Sequence, residues 1–237
     1  MNVVCVFAHQ DDELTCVATL LRLKREHGDS IAFVALTNGE NGAAWDPDRP
    51  HEDVIATRAG EMQAVADALD ARYICLEQPD GLLFDGPEIR LALIEALRVT
   101  RAQLVFTHPL RDYHLDHEAT ARLTCLAALQ AEIASVRTAS AALPSAPAIF
   151  HVDPGDGYGF ETTHFVAYDQ ELADEKARIG RLHASQMEVM RALRGRDYAD
   201  LALDADRQRG ARLVVPYAEG FRPCLMERRI PTASLLP

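Results

Sequence analysis

Short apolar runs rich in Val, Ile, Leu and Phe alternate along this chain with longer stretches whose apolar positions recur every three or four residues. The runs at about residues 2 to 8, 30 to 37, 72 to 77 and 103 to 107 read as buried strands. Between and after them, helical spacing predicts helices over about Leu14 to His27, Asp53 to Leu69, Glu88 to Thr100 and His117 to Glu132. In the first of these Leu14, Val17, Leu20, Leu21 and Lys24 share one face, and Gly28 supplies the stop. Strand and helix in regular alternation predict the α/β class, a doubly wound, mostly parallel sheet with helices on both faces.

The second half is less regular. Ser135 to Pro147 is dominated by small residues and reads as a surface loop, followed by strand-like runs at Pro147 to Val152 and Thr163 to Tyr168 with a turn at Asp153 to Gly157. Asp169 to Leu193 has a long helical pattern interrupted around Ser185, and Tyr217 to Arg229 is more strand-like than helical. With no internal repeat and no dividing linker, residues 1–237 are expected to form a single domain.

Charge and composition narrow the class of partner. A formal charge of -12, with lysine only at positions 24 and 176, leaves no basic stripe for a phosphate backbone, so nucleic acid is excluded as a partner. No apolar run approaches membrane-spanning length and the first residues lack a signal pattern, which predicts a soluble, cytoplasmic protein acting on a small molecule. A homo-oligomer is left open. Five cysteines without a C-x-x-C pair argue against a disulfide framework and leave any metal to histidine and carboxylate ligands.

Two polar clusters then carry the chemistry. His9-Gln10-Asp11-Asp12-Glu13 follows the first strand, and His108 to His117, crowded with imidazoles and carboxylates, follows the fourth. In an open α/β sheet both lie at the carboxyl edge, where ligands bind. Hydrolytic zinc wants about three nitrogen or oxygen ligands and an open position, and His9, Asp12 and His117 supply that set. Asp11 is left beside the metal as general base, taking the proton of the attacking water and delivering it to the leaving nitrogen. His114, one turn before His117, is expected to stabilise the oxyanion, with Asp116 holding it in its protonated, donating form. Glu13 reads as a first-turn carboxylate favoured by the helix dipole.

These residues carry a resemblance. Ala8-His9-Gln10-Asp11-Asp12-Glu13 resembles the A-H-P-D-D-E signature of the PIG-L (LmbE-like) N-deacetylases, and His108-Pro109, Asp112, His114 and Asp116-His117 resemble that family's H-P-x-x-D-x-H-x-D-H motif. Thr37 to Gly42, Arg58 with Glu61, Gln78 to Gly81, His183 to Gln186 and Tyr217 to Phe221 are similar to further family segments. The resemblance implies a Rossmann-like α/β fold and zinc-dependent removal of an N-acetyl group from an N-acetylglucosamine-like amino sugar, with the same ligands, base and oxyanion donor. It also implies that Arg58 and Asp80 lie near sugar hydroxyls. One position departs: Gln10 stands where the family has proline, and a solvent-facing replacement is the expected reading. Asp112 reads as a loop organiser, His108 as a brace or a ligand, and Trp45 as a pocket wall or a buried residue. His27, His51, His151, His164 and His183 are read as structural or solvated. Two other functions stay open, an amidase of larger conjugates and a non-catalytic sugar-binding module.

Overall fold

A computed structural model describes residues 1–43, 46, 48–155 and 159–236. Among these residues seven strands form one sheet in the order β3-β2-β1-β4-β5-β7-β6. They are β1 (Asn2–Phe7), β2 (Ser30–Thr37), β3 (Arg72–Gln78), β4 (Leu104–Thr107), β5 (Ala148–Val152), β6 (His164–Tyr168) and β7 (Tyr217–Pro223). The first five are parallel; β7 enters between β5 and β6 and runs antiparallel to both. The class expected from the sequence is thus the one observed, with an antiparallel edge that the irregular second half did not announce.

The helices are α1 (Val17–His27), α2 (His51–Ala68), α3 (Pro87–Val99), α4 (Leu115–Ala131), α5 (Gln170–Gly180), α6 (Ala184–Arg194) and α7 (Tyr198–Leu213). Because β1 is buried on both faces, its residues divide between two cores: Val3, Cys5 and Phe7 pack with α1, α2 and α5, while Val4 and Val6 pack with α3 and α4. Gly28 ends α1 in the left-handed conformation, φ 69°, where a side chain would be strained. The expected break near Ser185 is real and lies between Gly180 and Ala184.

Chain order reverses at β1, which has β2 on one side and β4 on the other. A crevice opens at such a reversal, outside the carboxyl ends of the two strands. Val6 is paired with Thr107, so the polar segments after β1 and β4 emerge side by side. Among the described residues no helix is long and apolar enough to cross a membrane.

Candidate metal and catalytic centre

The end of β1 is fixed by its neighbour: Thr37 donates to the Ala8 carbonyl from its backbone nitrogen at 2.9 Å and from its hydroxyl at 2.8 Å. From there the chain enters a 3-10 turn over Asp12–Thr15, and His9, Asp12 and His117, the last in the first turn of α4, bring their donor atoms within 4.8 Å of one another. Asp12 is the hub. Its Oδ2 accepts the His9 backbone N–H at 2.8 Å and lies 3.4 Å from His9 Nδ1, while its Oδ1 is 3.3 Å from His117 Nε2. On the far side of its ring, His117 Nδ1 donates to Asp112 Oδ1 at 3.1 Å. That bond aims the other nitrogen, as an outer carboxylate does for a metal-bound histidine. Asp112 therefore orients His117 as well as organising its loop, whose His114 N–H it also accepts at 3.1 Å.

The electrostatics favour positive charge at this point. Burial works against a charged His9, yet Asp116, Asp12 and Asp80 outweigh it and raise its pKa well above the usual histidine value. Burial also opposes charge on His117, but Asp12 and Asp112 lift it to about 9. Asp12, penalised by burial, is nonetheless held well below the carboxylate range by His117 and His108. A divalent cation supplies this charge in place of protons, so the donor set suits a metal. His9 Nε2 adds to the fit: it is buried with no hydrogen-bond partner of good geometry, although Asp80 Oδ1 lies 3.0 Å away. Two neighbouring sets are equally compact, His9-His114-Asp116 and His108-Asp112-His117, but in the first the Asp116 carboxylate accepts two backbone N–H groups, and in the second His108 Nε2 holds the Ala8 N–H and Asp112 holds His117 Nδ1. His108 Nε2 accepts the Ala8 N–H at 3.0 Å, its pKa is depressed to about 4 by burial and the His117 charge, and its ring stacks on His117 at 3.8 Å. It is a neutral brace.

Asp11 occupies a strained position, φ 117°, a left-handed conformation that costs a non-glycine residue about 1–3 kcal/mol. Two contacts hold it there. Glu13 Oε2 accepts the Asp11 N–H at 3.0 Å, and Arg58, which also donates to the Gln10 carbonyl, sits 3.1 Å from Asp11 Oδ1. Burial raises the Asp11 pKa further than Arg58 lowers it, which moves the group toward the range of a general base working near neutrality. Glu13 is in turn bound by His183 Nε2 at 2.8 Å. Glu13 does lie in the first turn of the 3-10 helix, and His183 takes the structural one of its two readings: both are fully buried and together shape the Asp11 turn. Gly39 makes room for this arrangement: a Cβ there would meet Gln10 Oε1 at 2.5 Å and Arg58 Nε at 3.3 Å.

His114 caps α4, and its Nδ1 accepts the Asp116 N–H at 3.2 Å. An accepting Nδ1 places the proton on Nε2. Burial and the His9 and His117 charges lower its pKa, so the residue is a neutral Nε2–H donor. The expected role of Asp116 is corrected by this geometry. Its backbone, and not its carboxylate, sets the His114 tautomer; the carboxylate accepts from Gly81 N at 2.7 Å and Leu83 N at 3.1 Å and lies 3.4 Å from His9 Nε2. Gln10 is also corrected, being 1% exposed, because its amide turns inward and donates to Thr37 O at 3.1 Å and Tyr73 Oη at 3.3 Å. Arg58 and Asp80 are buried against the centre itself, Arg58 on Asp11 and Asp80 between His9 and the Asn41 N–H. Trp45 lies outside the described residues.

The model of the family described as PIG-L: GlcNAc-PI de-N-acetylase matches residues 4–128, more than half of the chain, and spans both polar clusters. The chain belongs to the PIG-L family. Over 125 residues this PIG-L chain is 29% identical to a probable N-acetyl-alpha-D-glucosaminyl L-malate deacetylase 2 of Bacillus anthracis, a match to 50% of the chain and 55% of that protein. The match thus spans about half the length of that curated relative. Among solved structures, the conserved protein TT1542 of Thermus thermophilus superposes with a TM-score of 0.77 at 28% identity, over 96% of this chain and 98% of that one. N,N'-diacetylchitobiose deacetylase of Pyrococcus horikoshii gives 0.79 at 21% identity, over 94% and 83%. GalB, the 4-carboxy-2-hydroxymuconate hydratase of Pseudomonas putida KT2440, gives 0.77 at 20% identity, over 98% of each. The last two share the PIG-L chain's fold, and since one is a deacetylase and the other a hydratase, fold alone does not choose the reaction.

Proposed function

We propose that this chain is a zinc-dependent N-deacetylase that hydrolyses the N-acetyl group of an N-acetylglucosamine-like amino sugar or its conjugate. The observation that carries this reading is the meeting of His9, Asp12 and His117 from two strand ends, beside an Asp11 carboxyl held in place by Arg58. His9, Asp12 and His117 would hold the ion, whose Lewis acidity makes water acidic enough to lose a proton near neutral pH and polarises an amide carbonyl. The chain's own residues do the rest. Asp11, with its raised pKa, takes the proton from the attacking water and returns it to the departing amine nitrogen. His114 donates from Nε2 to the oxyanion of the tetrahedral intermediate, already in the right tautomer because the Asp116 N–H occupies Nδ1. Arg58 keeps two guanidinium nitrogens, Nε and Nη1, buried without partners, which a sugar hydroxyl reaching past Asp11 would satisfy. Asp80 borders the same crevice from the β3–α3 loop.

Acetate release from a panel of N-acetylated amino sugars and glycosides tests this directly. Activity should vanish on chelation, return with zinc, and be lost in Asp11→Asn while the bound metal is kept. Near-normal turnover by Asp11→Asn would remove the base from the scheme, and release of a bulky acid in place of acetate would make the enzyme an amidase of larger conjugates.

A further inference from the structure

Away from this centre, Cys125 on α4 and Cys224 just beyond β7 bring their sulfurs within 3.6 Å of each other across 99 positions of sequence. Both side chains are buried, and neither is joined in a disulfide. His151 on β5, also buried, completes a group in which one donor atom from each residue lies within 4.8 Å of the others. We propose that Cys125, His151 and Cys224 form a second metal site that binds zinc through two thiolates and one imidazole.

Sulfur spacing fits co-ligation: two thiolates at about 2.3 Å from a tetrahedral zinc sit a little under 4 Å apart, whereas a disulfide draws them to about 2.05 Å. Close packing alone can bring two thiols to contact distance. What packing does not supply is a third donor already set in the tautomer a metal needs. His151 Nδ1 lies 2.7 Å from the His108 carbonyl oxygen, and since a carbonyl only accepts, the ring proton is on Nδ1 and Nε2, facing Cys224, carries the lone pair a metal ligand needs. A histidine anchored in this way by a backbone carbonyl is the usual outer support of a metal ligand. His151 and Cys224 line a cavity of about 430 Å³ that reaches the exposed Leu225 and Met226, which provides an entry path and room for water as a fourth ligand. The ion would tie α4, β5 and the chain after β7 together. It would also stiffen the His108 backbone, whose ring stacks on His117. The sequence conceals the site because its cysteines come from elements 99 residues apart, with no C-x-x-C spacing to mark them.

Cobalt(II) titration of the reduced, metal-stripped chain tests the proposal, because the His9-Asp12-His117 centre contains no sulfur. The wild-type chain should develop a near-ultraviolet thiolate-to-cobalt charge-transfer band and, when loaded with zinc, carry one more ion than Cys125→Ser or Cys224→Ser, both of which should lack the band. His9→Ala, which removes a donor of the other centre, should keep the band, so that the two sites fail independently. A wild-type cobalt complex without thiolate absorption, or an unchanged zinc content in both serine variants, would overturn the assignment. The wild-type spectrum decides the matter even if a serine variant does not fold.

Discussion

Replacing His114 separates two duties that the structure assigns to the two nitrogens of one ring. Nδ1 caps α4 by accepting the Asp116 N–H, and loss of an N-cap costs about 1 kcal/mol of stability. Nε2–H is the proposed oxyanion donor, and loss of one such donor lowers kcat by about a hundredfold to a thousandfold, or about 2.7–4 kcal/mol of transition-state stabilisation. His114→Ala should therefore show both effects. His114→Asn should show only the second, because asparagine is a good N-cap but its short side chain does not carry a donor to the Nε2 position. Urea denaturation, zinc content and acetate release on the same three preparations make the comparison. Three results would refute the reasoning. Loss of zinc from His114→Ala would make the residue a ligand, turnover within a few-fold of wild type would remove it from the oxyanion, and equal destabilisation of both variants would remove the cap.

Other perturbations follow from the same geometry. Asp112→Asn weakens the acceptor that orients His117 and should lower zinc affinity by about tenfold to a hundredfold, read by competition with a chromogenic chelator, while the far-ultraviolet circular dichroism stays unchanged. Lys176, fully buried, bonds Asp206 at 2.5 Å and Glu219 at 2.7 Å, and Glu219 accepts the Ala18 and Thr19 N–H groups at the start of α1. Lys176→Met strands two carboxylates and should destabilise the chain by about 3–5 kcal/mol in urea melts; a cost below about 1 kcal/mol would mean the cluster tolerates neutralisation. Burial penalises a charged Asp153, but Arg209 at 2.9 Å outweighs it and depresses its pKa. A depressed carboxyl stabilises the fold above its unfolded pKa, near 4, and that contribution is lost as pH falls through the folded value. The acid limb of the stability profile below about pH 4 should accordingly be shallower in Asp153→Asn than in wild type, and an identical slope would contradict the pairing.

Much of the fold could be read along the chain because β1 to β4 and the helices between them each follow one clear period. The exception is α7 (Tyr198–Leu213), whose apolar contacts with the core, Tyr198, Ala199, Ala202 and Leu203, are confined to its first two turns, while its later buried positions are Asp206 and Gly210. The antiparallel entry of β7 was equally hidden, because strand direction depends on where the preceding helix lets the chain return. At the centre, residue types and strand-end context marked His9, Asp12 and His117, and the fold brings them together. Their supports were not legible. His183 meets Glu13 across 170 positions, Arg58 reaches Asp11 across 47, and the Asp116 carboxylate turns to Gly81 and Leu83 instead of its neighbour His114. Such partners are chosen by how helices dock on the sheet. The inward turn of Gln10 has the same origin: only the packed structure offers its amide the Thr37 carbonyl and the Tyr73 hydroxyl.

Anomalous diffraction at the zinc edge from crystals of the zinc-loaded chain tests the central claim most directly. A strong peak bounded by His9, Asp12 and His117 is the expected result. Zinc found elsewhere while that position stays empty at saturating metal, or held there by His114 or Asp112 in place of Asp12, would contradict it.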